Sequence, residues 1–164
     1  TMLSKCTGWI LAATLVVAFS TAAHAQYLTQ KAISLAEAKK IAAAAQAEAV
    51  KNNWKMAIAV VNQDGGLIYF ERADGIQSGS LDVAIGKAKT AALFRRSTKV
   101  LEDVINGTKD TPARTAAMKL FPLPTQGGLP IKAGDEFVGG IGCSGATGAQ
   151  DEQSCAAGIA AGTK

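Results

Sequence analysis

The chain has 164 residues, 48% of them apolar and 5% aromatic, with a formal net charge of +4. That length suffices for one domain with a sizeable core. Its basic residues are scattered, as Lys39-Lys40, Arg95-Arg96 and single lysines, with no basic stripe interleaved with aromatics, which argues against nucleic acid as a partner.

Residues 2–25 read MLSKCTGWILAATLVVAFSTAAHA. Lys5 supplies a positive start, Trp9 to Phe19 an apolar stretch short for a bilayer, and Ala23-His24-Ala25 a small-residue cleavage site. The prediction is a secretory signal peptide over 1–25 and a single mature domain over 26–164. The protein is then exported, to a bacterial periplasm or fully secreted. Nothing past residue 25 is long and apolar enough to span a membrane. His24, the one histidine, leaves with the signal, as does Cys6. A Ser-His-Asp triad, a histidine zinc site and a histidine-ligated haem are thereby excluded. Cys143 and Cys155 remain, and in an oxidising compartment they form either a disulfide or two small buried thiols.

Ser34 and Glu37 form an S-x-x-E capping box, followed at helical spacing by Leu35, Ala38, Ile41, Ala42, Ala45 and Ala49. The spacing predicts a helix over 34–52. Met56 to Val61 is β-branched and apolar, a buried strand. Gln63 to Gly66 is a hairpin turn, and Leu67 to Arg72 the antiparallel return. A second helix is expected from near Ser80 to Arg95, and a third from Thr98 to Asn106 with Gly107 at its end. Thr111-Pro112 opens a fourth, to about Lys119. Phe121 to Pro124 is at best an edge strand, because proline interrupts it. Gln126 to Pro130 reads as a tight loop. Pro130 to Lys132 and Glu136 to Cys143 then read as a hairpin, and Gln150 to Ala160 as a last helix. Hairpins covered by helices make an α+β fold.

GGIGCSG, residues 139–145, contains G-x-G-x-x-G through Gly140, Gly142 and Gly145. A dinucleotide site needs a parallel βαβ unit and an acid about 20 residues onward. Neither follows here, so the NAD reading is rejected. Two readings remain: close packing of helix on sheet, or an anion at a helix N-terminus.

AVVNQDGGLIYFERADG, KAKTAALF, PTQGGLPI and FVGGIGCSG followed by QDE, in that order, resemble the GlcG/HbpS-like haem-binding family, which includes the C-terminal domain of PduO-type proteins. The likeness runs from about residue 34 to 162. It implies a profilin-like fold with a five-stranded antiparallel sheet and helices packed on its faces. It also implies homo-oligomers, from dimer to octamer, and a small-molecule or tetrapyrrole ligand, with haem as the cofactor to test. Asn62 departs from the aspartate common in the family. Without histidine, haem would rest on Tyr27, Tyr69, Met56, Met118, a cysteine or a hydroxyl, or on apolar contact alone.

The candidate ligand-binding residues are Arg72, Asp74, Lys87, Thr90, Gly127, Gly128, Gly142, Ser144 and Gly145. Arg72 offers a bidentate clamp for a carboxylate, or a local ion pair beside the turn that Asp74 shapes. Lys87 and Thr90 share a helix face with the ligand, or Lys87 is solvated or intersubunit. Thr98 is read as a helix cap. Ser144 has no base to make it a nucleophile. Asp151 and Glu152 are an acid/base pair or a helix cap. The leading expectation is an exported, oligomeric ligand-binding protein rather than an enzyme. The rivals are an enzyme or sensor component acting on a small organic acid through Lys87 or Asp151, and a structural assembly subunit without ligand.

Overall fold

The computed structural model describes residues 29–107, 116 and 123–162. The segment expected to be a signal peptide, Tyr27, Met118 and nearly all of the helix expected over Thr111–Lys119 lie outside them. In chain order the elements are α1 (Leu35–Lys51), β1 (Ala57–Asn62), β2 (Leu67–Arg72), α2 (Gly79–Phe94), α3 (Thr98–Asn106), β3 (Gly128–Ala133), β4 (Glu136–Ser144) and α4 (Gly148–Gly162). The strands form an antiparallel sheet in the order β2-β1-β4-β3.

Ser34 caps α1 as expected, its Oγ accepting from the Glu37 N–H at 3.1 Å. The reciprocal arm of the capping box is missing: Glu37 Oε1 is buried and has no hydrogen-bond partner. The β1–β2 turn is organised by Asn62, whose Oδ1 accepts from the N–H groups of Asp64 (3.0 Å) and Gly66 (2.7 Å), with Gly65 at φ +82°.

The sheet has two unlike faces. Ile58, Val60, Ile131, Ile141 and Cys143 point to the layer formed by α1 and α4. Ala57, Ala59 and Val61 point to α2, which presents Ala84, Ala88 and Ala92. Period-2 alternation thus sorts large side chains to one face and mostly small ones to the other. On the small side, Gly140 and Gly142 of β4 admit the α2 backbone. A Cβ on Gly140 would lie 2.5 Å from Ala88 O, and one on Gly142 2.5 Å from Ala88 N. The G-x-G part of the motif is therefore strand interior under a helix, not a turn. Only Gly145 lies beyond the strand, with Lys55 and Ile76 against it.

Four strands stand among the described residues, where the resemblance implies five. Leu123 and Pro124 belong to no strand; proline cannot donate to a ladder. Conversely, Gly128 to Pro130, expected as loop, open β3. Pro130 is tolerated there because β3 is an edge strand.

Cys143 on β4 and Cys155 on α4 form a disulfide, with Cα atoms 5.9 Å apart and a sequence separation of 12. Both are fully buried. Closing so short a loop removes conformations from the unfolded chain. Replacing both cysteines with alanine should lower unfolding stability by about 2–3 kcal/mol, read by chemical denaturation against the oxidised protein.

Candidate functional site

Two places merit description. The first is the sheet end where β4 runs out. Lys87, on α2, is 3% exposed, yet its Nζ donates to Asp151 Oδ2 at 2.7 Å and to Cys143 O at 3.1 Å. Asp151, in the first turn of α4, is 2% exposed, and its Oδ1 accepts from Ala146 N–H at 3.0 Å. Burial pushes the Asp151 carboxyl above its ordinary range, against the Lys87 ammonium and the backbone N–H groups of Ala146 and Gly145. The pair ties α2 on one face to α4 on the other, around the end of the sheet.

Gly127 fits beside this pair only because it has no side chain. A Cβ there would lie 2.7 Å from Asp151 Cβ and 2.8 Å from Lys87 Nζ, and its φ is +119°. Gly128 would meet Lys87 O at 2.6 Å. The loop is also held from α3. Thr98 Oγ1 accepts from Gly128 N–H at 2.8 Å, and Gln126 N–H bonds to Glu102. Thr98 is thus a buried loop anchor rather than the cap of α3, which is Ser97.

The candidate residues sort by this geometry. Lys87, Gly127, Gly128, Gly142, Ser144 and Gly145 gather at the corner. Ser144 is 6% exposed and pairs with Ala57, whose other neighbour is Arg72. Arg72 therefore sits at the same sheet end but two strands away, exposed, and no ion pair joins it to the exposed Asp74 among the described residues. Thr90 is fully buried and accepts from Leu123 N–H at 3.0 Å. Lys87 is neither solvated nor intersubunit within this chain; its charge is met by Asp151. Glu152 accepts from Ser97 Oγ at 3.3 Å, away from the pair.

The second place is a cavity of about 590 Å³ between the N-terminal end of α1, the β3–β4 hairpin and the last turn of α4. Ile33, Ile41, Ile131 and Val138 wall it, Lys31 and Lys132 stand at its edge, and Glu37 lines it. None of this was singled out in the sequence, apart from Glu37 and Ile41 as members of α1. Its volume is in the range of small-molecule sites.

Potential iron ligands are placed unfavourably. Met56 is fully buried in the core, and Cys143 and Cys155 are joined in the disulfide. The Tyr69 hydroxyl bonds Glu71 Oε2 at 3.2 Å, and burial raises its pKa, with the Glu71 charge adding to the effect. Among the described residues no group of three or more His, Cys, Asp or Glu could hold a metal ion. No helix of the described residues is long and apolar enough to cross a membrane.

An antiparallel sheet with helices on both faces and a glycine strand under an alanine helix define a small α+β class. The chain belongs to the HbpS-like family, described as haem degrading protein HbpS-like, whose model matches residues 33–160. It is 39% identical over 118 residues to Protein GlcG of Escherichia coli, an alignment covering 71% of this chain and 84% of that relative. Its fold is similar to the crystal structure of HbpS, at 32% identity and a TM-score of 0.74, covering 82% of this chain and 93% of that one. A PduOC–haem complex shares the fold at a TM-score of 0.73 and 23% identity, covering 80% of this chain and 95% of the other.

Proposed function

We propose that the protein is an exported, self-assembling tetrapyrrole-binding protein of the HbpS type. The observation that carries this reading is the family match across residues 33–160, under a description that names haem. The cavity supports it in size, about 590 Å³, and Lys31 and Lys132 in its lining suit a ligand's carboxylates. Export is supported by the leader-like residues 1–25 and by a disulfide that suits an oxidising compartment. Self-assembly is what the resemblance to the GlcG/HbpS-like family implies.

The organic-acid reading is less favoured, because Lys87 and Asp151 already satisfy each other away from solvent. Haemin titration of the purified protein, followed by its Soret absorbance, tests the proposal. A saturable, stoichiometric shift is expected. A spectrum that stays that of free haemin at every ratio would remove haem from the reading.

A further inference from the structure

Three irregularities meet where α2 ends beside the β3–β4 hairpin. The first is Arg95, which closes α2 with φ 54° and ψ 37°. Helices commonly end in this left-handed conformation, but on glycine or asparagine, because a Cβ is strained there. Asn53 and Arg95 are the non-glycine residues with positive φ among those described, and of the two only Asn53 is a favoured type.

The second is a bulge. The β3–β4 register shifts between Ile131 and Lys132, so Ile131 stands opposite Gly139 and Lys132 opposite Phe137. Val138 is the extra residue, and it joins Ile141 and Cys143 in the core on the α1–α4 side. Phe137 is turned instead to the end of α2, where it meets Arg95.

The third is unbalanced charge. The Phe137 ring holds two cations, with Arg95 Cζ 5.6 Å and Lys132 Nζ 4.6 Å from its centroid. The two charges are therefore no farther apart than about 10 Å, the Debye length at 0.1 M salt, and they repel. Neither joins an ion pair among the described residues, and the hairpin acids do not neutralise them: Glu136 is paired with Lys31 at 2.8 Å, and Asp135 forms no ion pair. Arg95 and Lys132 are both exposed, as is Arg96 beside them.

The fold does not require this arrangement. Glycine at position 95 would end α2 without the strain. The helix dipole favours a cation at this end, which accounts for one positive charge but not for its left-handed backbone, nor for a second cation on the same ring. Local strain of this kind collects at ligand clamps.

Resting on the tetrapyrrole reading above, we infer that Arg95 and Lys132, held on the Phe137 ring, form the carboxylate clamp of the ligand site. Each takes one peripheral carboxylate of the tetrapyrrole. Arg95 offers a planar fork of N–H donors to the first and Lys132 a point charge to the second. Two carboxylates on one edge of the ligand supply the negative charge that this pair of cations lacks. Lys132 also lines the cavity, which puts the clamp on the cavity's border.

The test titrates haemin and haemin dimethyl ester, whose carboxylates are masked, into wild type, Arg95→Gly, Arg95→Lys and Lys132→Gln, followed by absorbance, with thermal melts of each protein. Haemin should bind wild type more tightly than the ester does. Arg95→Gly and Lys132→Gln should each weaken haemin by about threefold to tenfold, the scale of one accessible charged contact, and leave the ester unchanged. Arg95→Lys should keep more of the affinity than Arg95→Gly. Arg95→Gly should also raise the melting temperature by about 2–5 °C, because it relieves the left-handed strain. Weaker binding in a more stable protein cannot be put down to misfolding. A lower melting temperature in Arg95→Gly would make the arginine a structural cap and overturn its place in the clamp. Haemin and its ester binding alike, with both charge-removing variants indifferent, would overturn the clamp and leave the tetrapyrrole reading standing. Binding of neither ligand by wild type would overturn this inference together with the reading it rests on.

Discussion

Asp151→Ala is expected to destabilise the fold by about 3–5 kcal/mol, the range for removing one member of a buried ion pair. The loss arises less from the missing attraction than from what stays behind. Lys87 is 3% exposed, and without Asp151 its ammonium keeps only the Cys143 carbonyl, 3.1 Å away. The Ala146 N–H loses its acceptor as well. Lys87→Met in the Asp151→Leu background should recover much of the deficit, because a buried pair replaced as a whole by apolar groups is often neutral. A double-mutant cycle by urea denaturation reads the coupling directly. A single-mutant loss below about 1 kcal/mol, the scale of an exposed pair, would show that water reaches this corner.

Gly142→Val is expected to cost about 3 kcal/mol or more, at the upper end of overpacking losses. A side chain there runs into backbone, at Ala84 O and Ala88 N, rather than into a flexible tip. Relief requires α2 to lift from the sheet, which would also unseat Lys87. Gly79→Ala is the contrasting substitution. Its site has nothing within 4 Å of an added Cβ and opens α2, so it should be neutral or stabilising by about 0.4–1 kcal/mol. Thermal melts of the two variants separate the effect of space from that of glycine's flexibility.

Local signals made much of the fold legible. Ser34 before an alanine-rich periodic run located α1, and the run Met56–Val61 followed by Gln63–Gly66 located the first hairpin. Thr98–Asn106 fell where its spacing placed it. The glycine motif misled in part, because G-x-G looks alike in a phosphate-binding turn and in a strand under a close helix. Only the partner of that strand face decides between them, and α2 lies some fifty residues upstream in sequence. Gly128 to Pro130 looked like loop because glycine and proline dominate it, yet pairing with Gly142 to Gly140 overrides that preference.

The candidate corner was legible residue by residue but not as an arrangement. Lys87 and Asp151 are both candidates in the sequence, 64 residues apart on helices separated by α3, β3 and β4. No spacing rule links such positions; their meeting follows from how the helices cross the sheet end. The cavity left no local mark at all. It is assembled from the entrance to α1, a hairpin and the end of α4, and its one distinctive group, Glu37, read naturally as half of a capping box.

The strand order has a kinetic consequence. The two central strands, β1 and β4, come from opposite ends of the described chain: Ala57 lies against Ser144, and Asn62 against Gly139. The first helix rests on the last. The contacts between α1 and α4 and between β1 and β4 therefore join distant parts of the sequence, and such topologies fold on the millisecond-to-second scale, slower than locally wired helical proteins. A nascent chain carrying only α1 and the β1–β2 hairpin has no β4 to pair with β1 and no α4 to complete the layer over Ile58 and Val60. Its larger core stays open until the final third has been synthesised.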